Sequence, residues 1–409
     1  MSTIITPTTS RSNVSELISP LELATKPIKK ILTIFGTRPE VIKLAPVIHQ
    51  LESHGEMFET INVTSAQHTD ILYPFVRLFD IRIDYNLQIM AHGQTLNLIC
   101  SRVLAALDGL LDREQPDLLL VQGDTTTALA GALAGFHKGI PVGHVEAGLR
   151  SKNACSPYPE EMNRRLISRL VTYHFAATPR NRKTLLAEGV SPQSVFVTGN
   201  PVVDSLQAIA GCSQATPAIA KLLAATEGLK RIVLTTHRRE SLGEAMIENL
   251  RAIRRFVETH DDIALIFPVH PNPTVVGAAQ ATLSGHPRIH LIEPLAYDQF
   301  ILLLSNAWLI VSDSGGVQEE APTLGKPLLI LRENTERQEV LESGIARLVG
   351  NCPRRLTSML QEAYRRESWA NCVGKTENPF GQGHSGQCIA QIIAEALNGE
   401  TDKLPLLAS

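Results

Sequence analysis

Three carboxylates, Asp124, Glu146 and Glu160, stand where short apolar runs give way to polar residues in the first half of the chain. Carboxylates that converge in a cleft do not share one pKa. Desolvation and repulsion raise one while a nearby cation keeps another ionised, which suits removal and return of a proton. Each also has a plainer use. Asp124 could cap a helix over Thr125–Gly135, and Glu146 could pair with Arg150. Glu160, in Pro159-Glu160-Glu161-Met162-Asn163-Arg164, could stabilise a helix start and pair with Arg164 at i, i+4.

A second group of residues suits an anion. Ser314-Gly315-Gly316 follows the apolar run Trp308–Val311 and precedes Val317–Leu324, which reads as a helix. Glycines allow close backbone approach, and free N–H groups at a helix start attract phosphate. Glu320, one turn on, could accept from ribose hydroxyls or be a surface glutamate. Arg38, in Gly36-Thr37-Arg38-Pro39-Glu40, could clamp a diphosphate through paired hydrogen bonds or pair with Glu40. His237, followed by Arg238 and Arg239, suits a phosphate contact better than a general base, with a structural histidine as the alternative. His270, in Pro268-Val269-His270-Pro271-Asn272-Pro273, has no single reading. G-x-x-x-x-G-K-[ST] does not occur, which disfavours a P-loop ATPase, and the segment after the first apolar run carries one glycine and then Arg38 rather than G-x-G-x-x-G, which disfavours a nicotinamide cofactor.

These residues need a scaffold that brings loops together. From Lys29 onward, β-prone apolar runs alternate with longer helix-like segments. The runs are Ile31–Phe35, Thr60–Thr64, Asp117–Val121, Val142–Val145, Tyr173–Ala177 and Val195–Thr198, then Arg231–Thr235, Ile263–Phe267, Ile289–Ile292, Trp308–Val311, Leu328–Leu331 and Ala346–Val349. Continuous apolar strands separated by helices predict parallel sheets covered on both faces. The spacing divides them into two sheets of six, joined within Leu206–Gly228. Ligands of such sheets sit beyond the carboxyl ends of the strands, so two facing sheets would enclose one cleft. Residues 1–28, rich in Ser and Thr with prolines at 7, 20 and 27, read as a disordered tail without a secretory or transit signal.

The 409 residues suit two or three domains, and 44% apolar against 19% charged residues can bury a sizeable core. A net charge of −3 gives no electrostatic case for nucleic-acid or membrane-surface binding. No run reaches the roughly 18 apolar residues of a membrane span. Six scattered cysteines without a C-x-x-C pair predict neither a zinc site nor a disulfide framework, and point to reduced cytosolic thiols.

Read together, GTRPEVIK (36–43), AQH (66–68), QGDTTT (122–127), GHVEAGLRS (143–151), SPYPEEMNRR (156–165), TGN (198–200), HRRES (237–241), PVHPNP (268–273) and SDSGGVQEEAPTLGKP (312–327) closely resemble the non-hydrolysing UDP-N-acetylglucosamine 2-epimerases. The resemblance runs from about Lys29 to Asn398. It implies two Rossmann-like α/β domains of the glycosyltransferase-B type, 29–206 and 207–380, with C-terminal helices within about 381–409 completing the first. It also implies a UDP-sugar as the small-molecule partner, no metal or other cofactor, a cytoplasmic enzyme and a homodimer. The implied reaction eliminates UDP to a bound 2-acetamidoglucal and adds it back with the opposite configuration at sugar carbon 2. By match of position, Asp124, Glu146 and Glu160 resemble the acid/base carboxylates, and Arg38, Lys43, Arg164 and His237 the diphosphate and transition-state contacts. Ser314, Gly315, Gly316, Glu320 and Arg337 resemble the UDP contacts, while Gln338 stands where the family commonly has proline. Gln67, Gln94, Arg238 and His270 are similar to positions that bind an activating second UDP-sugar; Asp70 and Gly93 depart from that pattern. The same carboxylates would also serve a hydrolysing epimerase or one acting on a modified UDP-sugar. A glycosyltransferase would need an acceptor, and a silent UDP-sugar sensor would not need all three carboxylates.

Overall fold

In the computed structural model, which describes residues 27–66, 69–91, 93–151, 153–237 and 243–399, the apolar runs become two separate parallel sheets. The first sheet uses β1 (Lys29–Phe35), β2 (Phe58–Thr64), β3 (Tyr85–Asn86), β4 (Leu118–Gln122), β5 (Val142–Ala147), β6 (Tyr173–Ala176) and β7 (Val195–Val197). Their order is β3-β2-β1-β4-β5-β6-β7. The second uses β8 (Lys230–Thr235), β9 (Ile263–Pro268), β10 (Ile289–Ile292), β11 (Leu309–Ser312), β12 (Leu328–Ile330) and β13 (Ala346–Leu348), ordered β10-β9-β8-β11-β12-β13. The first sheet thus has seven strands rather than six. The additional β3 pairs with β2 over only Val63–Tyr85 and Thr64–Asn86, too short to leave an apolar run. Central strands such as β4 are buried along their whole length, because helices cover both faces.

In each sheet the order reverses direction beside the first strand, at β1/β4 and at β8/β11. These switch points open crevices at the strand carboxyl ends. The helix Arg38–Ser53 follows β1 and is fixed by a capping box: Glu40 accepts from the Gly36 and Thr37 backbone N–H groups at 2.9 and 2.7 Å and from the Thr37 hydroxyl at 2.8 Å.

Between β7 and β8 the chain forms two helices, Val202–Cys212 and Pro217–Ala225. The first packs against Arg38–Ser53 and Ser385–Leu397 on one side and against Tyr297–Ser305 and Val317–Thr323 on the other. After the second sheet the chain returns, and Ser385–Leu397 packs along Arg38–Ser53. This contact is close: a Cβ on Gly386 would lie 2.5 Å from the Pro46 carbonyl oxygen. Outgoing and returning segments touch where they pass. The Asn200 N–H donates to the Phe380 carbonyl at 2.8 Å, and a Cβ on Gly381 would stand 3.3 Å from the Gly199 Cα. Both glycines have positive φ, +79° and +108°, the region in which other residues are strained.

Residues 1–26 lie outside the described residues, and with them nearly all of the expected tail. Among the described residues no helix is long and apolar enough to cross a membrane.

Candidate active site

The loop after β4 delivers the first carboxylate. Gly123 takes φ +71°, and Thr125, not Asp124, caps the helix Thr126–His137 by accepting from the Ala128 N–H at 3.0 Å. Thr125 also donates to Glu40 at 2.7 Å. Asp124 is therefore left to bind Arg164, whose Nε and Nη2 both reach its Oδ2, at 2.9 and 2.5 Å. Beneath the turn, His144 is wholly buried and burial holds its pKa down at about 3. Its neutral Nε2–H donates to the Gly123 carbonyl at 2.7 Å and supports the turn from inside.

Glu146 lies near the end of β5 with φ +69°, a conformation costly for any residue with a Cβ. The β5–β6 register shifts between Val145 and Ala147, an irregularity that re-aims the side chain. Glu146 does not pair with Arg150, which binds Glu188 instead at 2.9 and 2.8 Å. It accepts from Lys43, from Gln122 at 2.6 Å and from Asn200 at 3.5 Å. Burial pushes its pKa up, but Lys43 and then Arg337 outweigh burial and hold it below the ordinary carboxylate range.

Glu160 opens the helix Glu160–Leu170 and is half-buried. Arg164 is committed to Asp124 and to Glu161, 3.2 Å from its Nη1. Glu161, which the sequence reading passed over, is fully buried and also accepts from the Ser151 N–H at 2.9 Å. The adjacent acids of one helix turn thus differ: Glu161 holds the arginine and the preceding loop, while Glu160 keeps partial exposure. Arg38 does not pair with Glu40, which is used up in capping; its guanidinium is exposed and lies 5.6 Å from the Phe75 ring centre.

The loop after β11 supplies the anion-binding candidates. Asp313, fully buried, accepts from the Thr236 hydroxyl at 2.8 Å and from the His237 N–H at 3.0 Å, tying the loop after β8 to it. Ser314 and Gly315 are half-buried and Gly316 exposed at the start of Val317–Thr323. Nothing stands closer than 3.5 Å to a Cβ built on Gly316. Glu320 is buried rather than a surface glutamate. Tyr297 donates to its Oε1 at 2.9 Å, Oε2 meets no partner among the described residues, and burial lifts its pKa to about 7. A buried acceptor with a spare lone pair suits a sugar hydroxyl.

His237 stacks on His270, ring centres 5.5 Å apart. Gln94 turns to its own neighbours, accepting from the Ala91 N–H at 3.1 Å and from Arg102 at 3.3 Å. Gln67 and Arg238 lie outside the described residues.

The two sets of loops meet through buried charges. Lys43, from the helix after β1, touches Glu146 and, at 2.9 Å, Glu319 from Val317–Thr323. Arg337 donates to Glu319 at 2.6 Å and to Glu336 at 2.6 Å, and Arg332 reaches Glu336 at 3.1 Å. Burial alone would lower the Lys43 and Arg337 pKa values, but the surrounding glutamates raise both. Glu319 carried no signal beyond its place in Gln318-Glu319-Glu320. Gln338 begins a five-residue helix, and its side-chain amide donates to the Thr335 carbonyl, so a side chain holds the loop where proline would.

The site therefore offers carboxylates held by buried cations, an exposed arginine, a glycine loop at a helix start and a buried acceptor. Among the described residues no group of three His, Cys, Asp or Glu could hold a metal ion.

Comparison with known proteins identifies the family. The family model described as UDP-N-acetylglucosamine 2-epimerase matches residues 49–394. The Escherichia coli K12 UDP-N-acetylglucosamine 2-epimerase is 42% identical over 369 residues, 89% of this chain and 98% of that protein. The Campylobacter jejuni enzyme of the same name is 38% identical over 382 residues, 91% and 100%. The crystal structure of the Neisseria meningitidis UDP-GlcNAc 2-epimerase bound to UDP-GlcNAc superimposes with a TM-score of 0.82 at 40% identity, covering 90% of this chain and all of that one. A glycotransferase of kitacinnamycin, at 13% identity and TM-score 0.59 over 91% of this chain and 99% of that one, shares the fold alone. The two facing parallel sheets are thus a glycosyltransferase-B type fold, and the chain belongs to the UDP-N-acetylglucosamine 2-epimerase family.

Proposed function

We propose that this chain interconverts UDP-N-acetylglucosamine and UDP-N-acetylmannosamine without hydrolysis. The observation that carries the reading is the pairing of two carboxylates at strand carboxyl ends with buried cations, Glu146 with Lys43 and Asp124 with Arg164, in the same molecule as an open glycine loop at Ser314–Gly316. A base takes the proton from sugar carbon 2, its electrons form the carbon 1–carbon 2 double bond, and the carbon 1–oxygen bond breaks to release UDP. Return of UDP to carbon 1 and of a proton to the other face of carbon 2 completes the epimerisation. Asp124, Glu146 and Glu160 supply base and acid. Arg38, Arg164 and His237 face the diphosphate and the charge that develops on it. Ser314, Gly315 and Gly316 seat the phosphates, and Glu320 takes the ribose hydroxyls. Lys43 and Arg337 act by holding Glu146 ionised.

The enzyme works in the cytoplasm as a homodimer. Support for association comes from exposed apolar side chains: Tyr158 at 71%, with Met162 and Leu166 one helical turn apart on Glu160–Leu170.

Proton NMR of UDP-N-acetylglucosamine with the protein in deuterated water, without acceptor or added metal, tests the reading. UDP-N-acetylmannosamine carrying deuterium at carbon 2 is expected. Free N-acetylmannosamine with UDP would place the chain among hydrolysing enzymes, and an unchanged spectrum would remove the catalytic assignment for this substrate.

A further inference from the structure

We propose that Glu319 is a positioning residue that preserves the proton-accepting strength of Glu146 when the two halves close. The inference rests on the epimerase reading and goes beyond it, because Glu319 is assigned no contact with substrate.

The geometry is specific. Lys43 Nζ is shared between Glu146, on the first sheet, and Glu319, on the helix that follows β11 of the second. Glu319 is 1% exposed; its Oε2 accepts from Lys43 at 2.9 Å and its Oε1 from Arg337 at 2.6 Å. Of these partners Arg337 belongs to the same half of the molecule, whereas Lys43 comes from across the cleft. If the halves separate, Glu319 keeps Arg337 and loses Lys43, and the ammonium is left wholly to Glu146. When they close, Glu319 draws part of that charge away. An ammonium shared between two carboxylates depresses either one less than an ammonium held by one alone. Closing also brings Arg337, which lowers the Glu146 pKa, and Glu319 offsets that added positive charge, so Glu146 keeps its proton-accepting strength where substrate is enclosed.

The other charged groups around Glu146 leave this role to Glu319. Asp124 and Arg164 sit on the first-sheet side with Glu146 and move with it. Gln122 and Asn200 are neutral. Arg337 lowers the Glu146 pKa from the second-sheet side, and Glu319 is the carboxylate that contacts both Arg337 and Lys43. Glu319 also adjoins Glu320 and lies on the helix opened by Ser314–Gly316, so a ligand seated on that loop presses on the element that carries it.

The test uses the full chain carrying Glu319→Gln and, separately, Glu319→Asp. The pH dependence of kcat/KM is followed by carbon 2 exchange, and UDP affinity is measured by calorimetry. Glu319→Gln should move the acid limb of the profile to lower pH by about half a unit or more and reduce kcat about tenfold, with UDP affinity within about threefold. Glu319→Asp keeps the charge beside Arg337 and shortens the reach to Lys43. It should shift the limb in the same direction by less, and it remains informative if the glutamine variant fails to fold. An acid limb that coincides with the parent in either folded variant overturns the inference, as does a loss confined to UDP affinity. Small-angle scattering with saturating UDP gives a readout independent of turnover: the parent compacts and Glu319→Gln compacts less. A parent that binds UDP and compacts but does not epimerise would count against the epimerase reading alone. Equal compaction of parent and variant would count against the role of Glu319.

Discussion

At Glu146 two costs are accepted together: a left-handed backbone and a carboxylate removed from water. Both are tolerable because Lys43 and Gln122 hold the side chain, and neither is needed for packing alone. Replacing Glu146 or Asp124 by its amide keeps shape and removes charge. Each change should slow carbon 2 exchange by about 10²–10⁴-fold while leaving UDP affinity within a few-fold, measured by proton NMR and calorimetry. Full exchange in both amides would remove these carboxylates from the chemistry. The residue scale is also where the sequence was least legible. Asp124 and Glu146 could be picked out because they follow apolar runs, and Glu160 from its place in Pro159–Arg164, but their partners could not. Glu146 meets Lys43 rather than Arg150, and Asp124 meets Arg164 rather than a helix start, since contacts between distant segments leave no local spacing.

Among the elements, the helix Ser385–Leu397 shows how a distant segment is built into the first half of the molecule. Gly386 has no room for a side chain, because the obstacle is the backbone oxygen of Pro46, 2.5 Å from where a Cβ would sit. Gly386→Ala must push the helices apart, and destabilisation of about 1–3 kcal/mol is expected in urea titrations. A variant as stable as the parent would show that the two helices do not pack this closely. The strands of both sheets were legible for a physical reason: a strand covered on both faces is apolar throughout, and twelve such runs marked twelve of the strands. The additional β3 escaped because a two-residue strand at a sheet edge carries no pattern. Helix starts were less legible. Thr125 and Asp124 are both capping residue types, and only the turn at Gly123 decides between them.

For the whole molecule, buried carboxyl groups set a pH dependence of stability. Glu320 titrates near 4.5 when unfolded and at about 7 in the ligand-free fold, so the folded state binds more protons between those values. Its stabilising contribution is complete below about 4.5 and is lost as pH rises through about 7, a loss of about 3 kcal/mol. Glu40 is shifted in the same direction, also to about 7, while Glu146 and Glu336 are lowered and lose their contribution as pH falls. Comparing the parent with Glu320→Gln isolates one group. The variant should melt higher than the parent at pH 8, and the two should converge toward pH 5, by calorimetry without ligand. A difference that does not change with pH would mean that Glu320 is ionised in the fold throughout.

The chain passes between the halves twice, and the passages touch at Gly199–Asn200 and Phe380–Gly381. A single tether would let one lobe swivel freely against the other, whereas two tethers side by side behave like a pair of door pins. Rotation about the line joining them is cheap, and twist about the long axis of the molecule strains both at once. The glycines give each pin its play, and the hydrogen bond between Asn200 and Phe380 keeps the pins together. Any opening of the halves would thus be channelled into one swing, which brings the loops on the two carboxyl edges back into the same register.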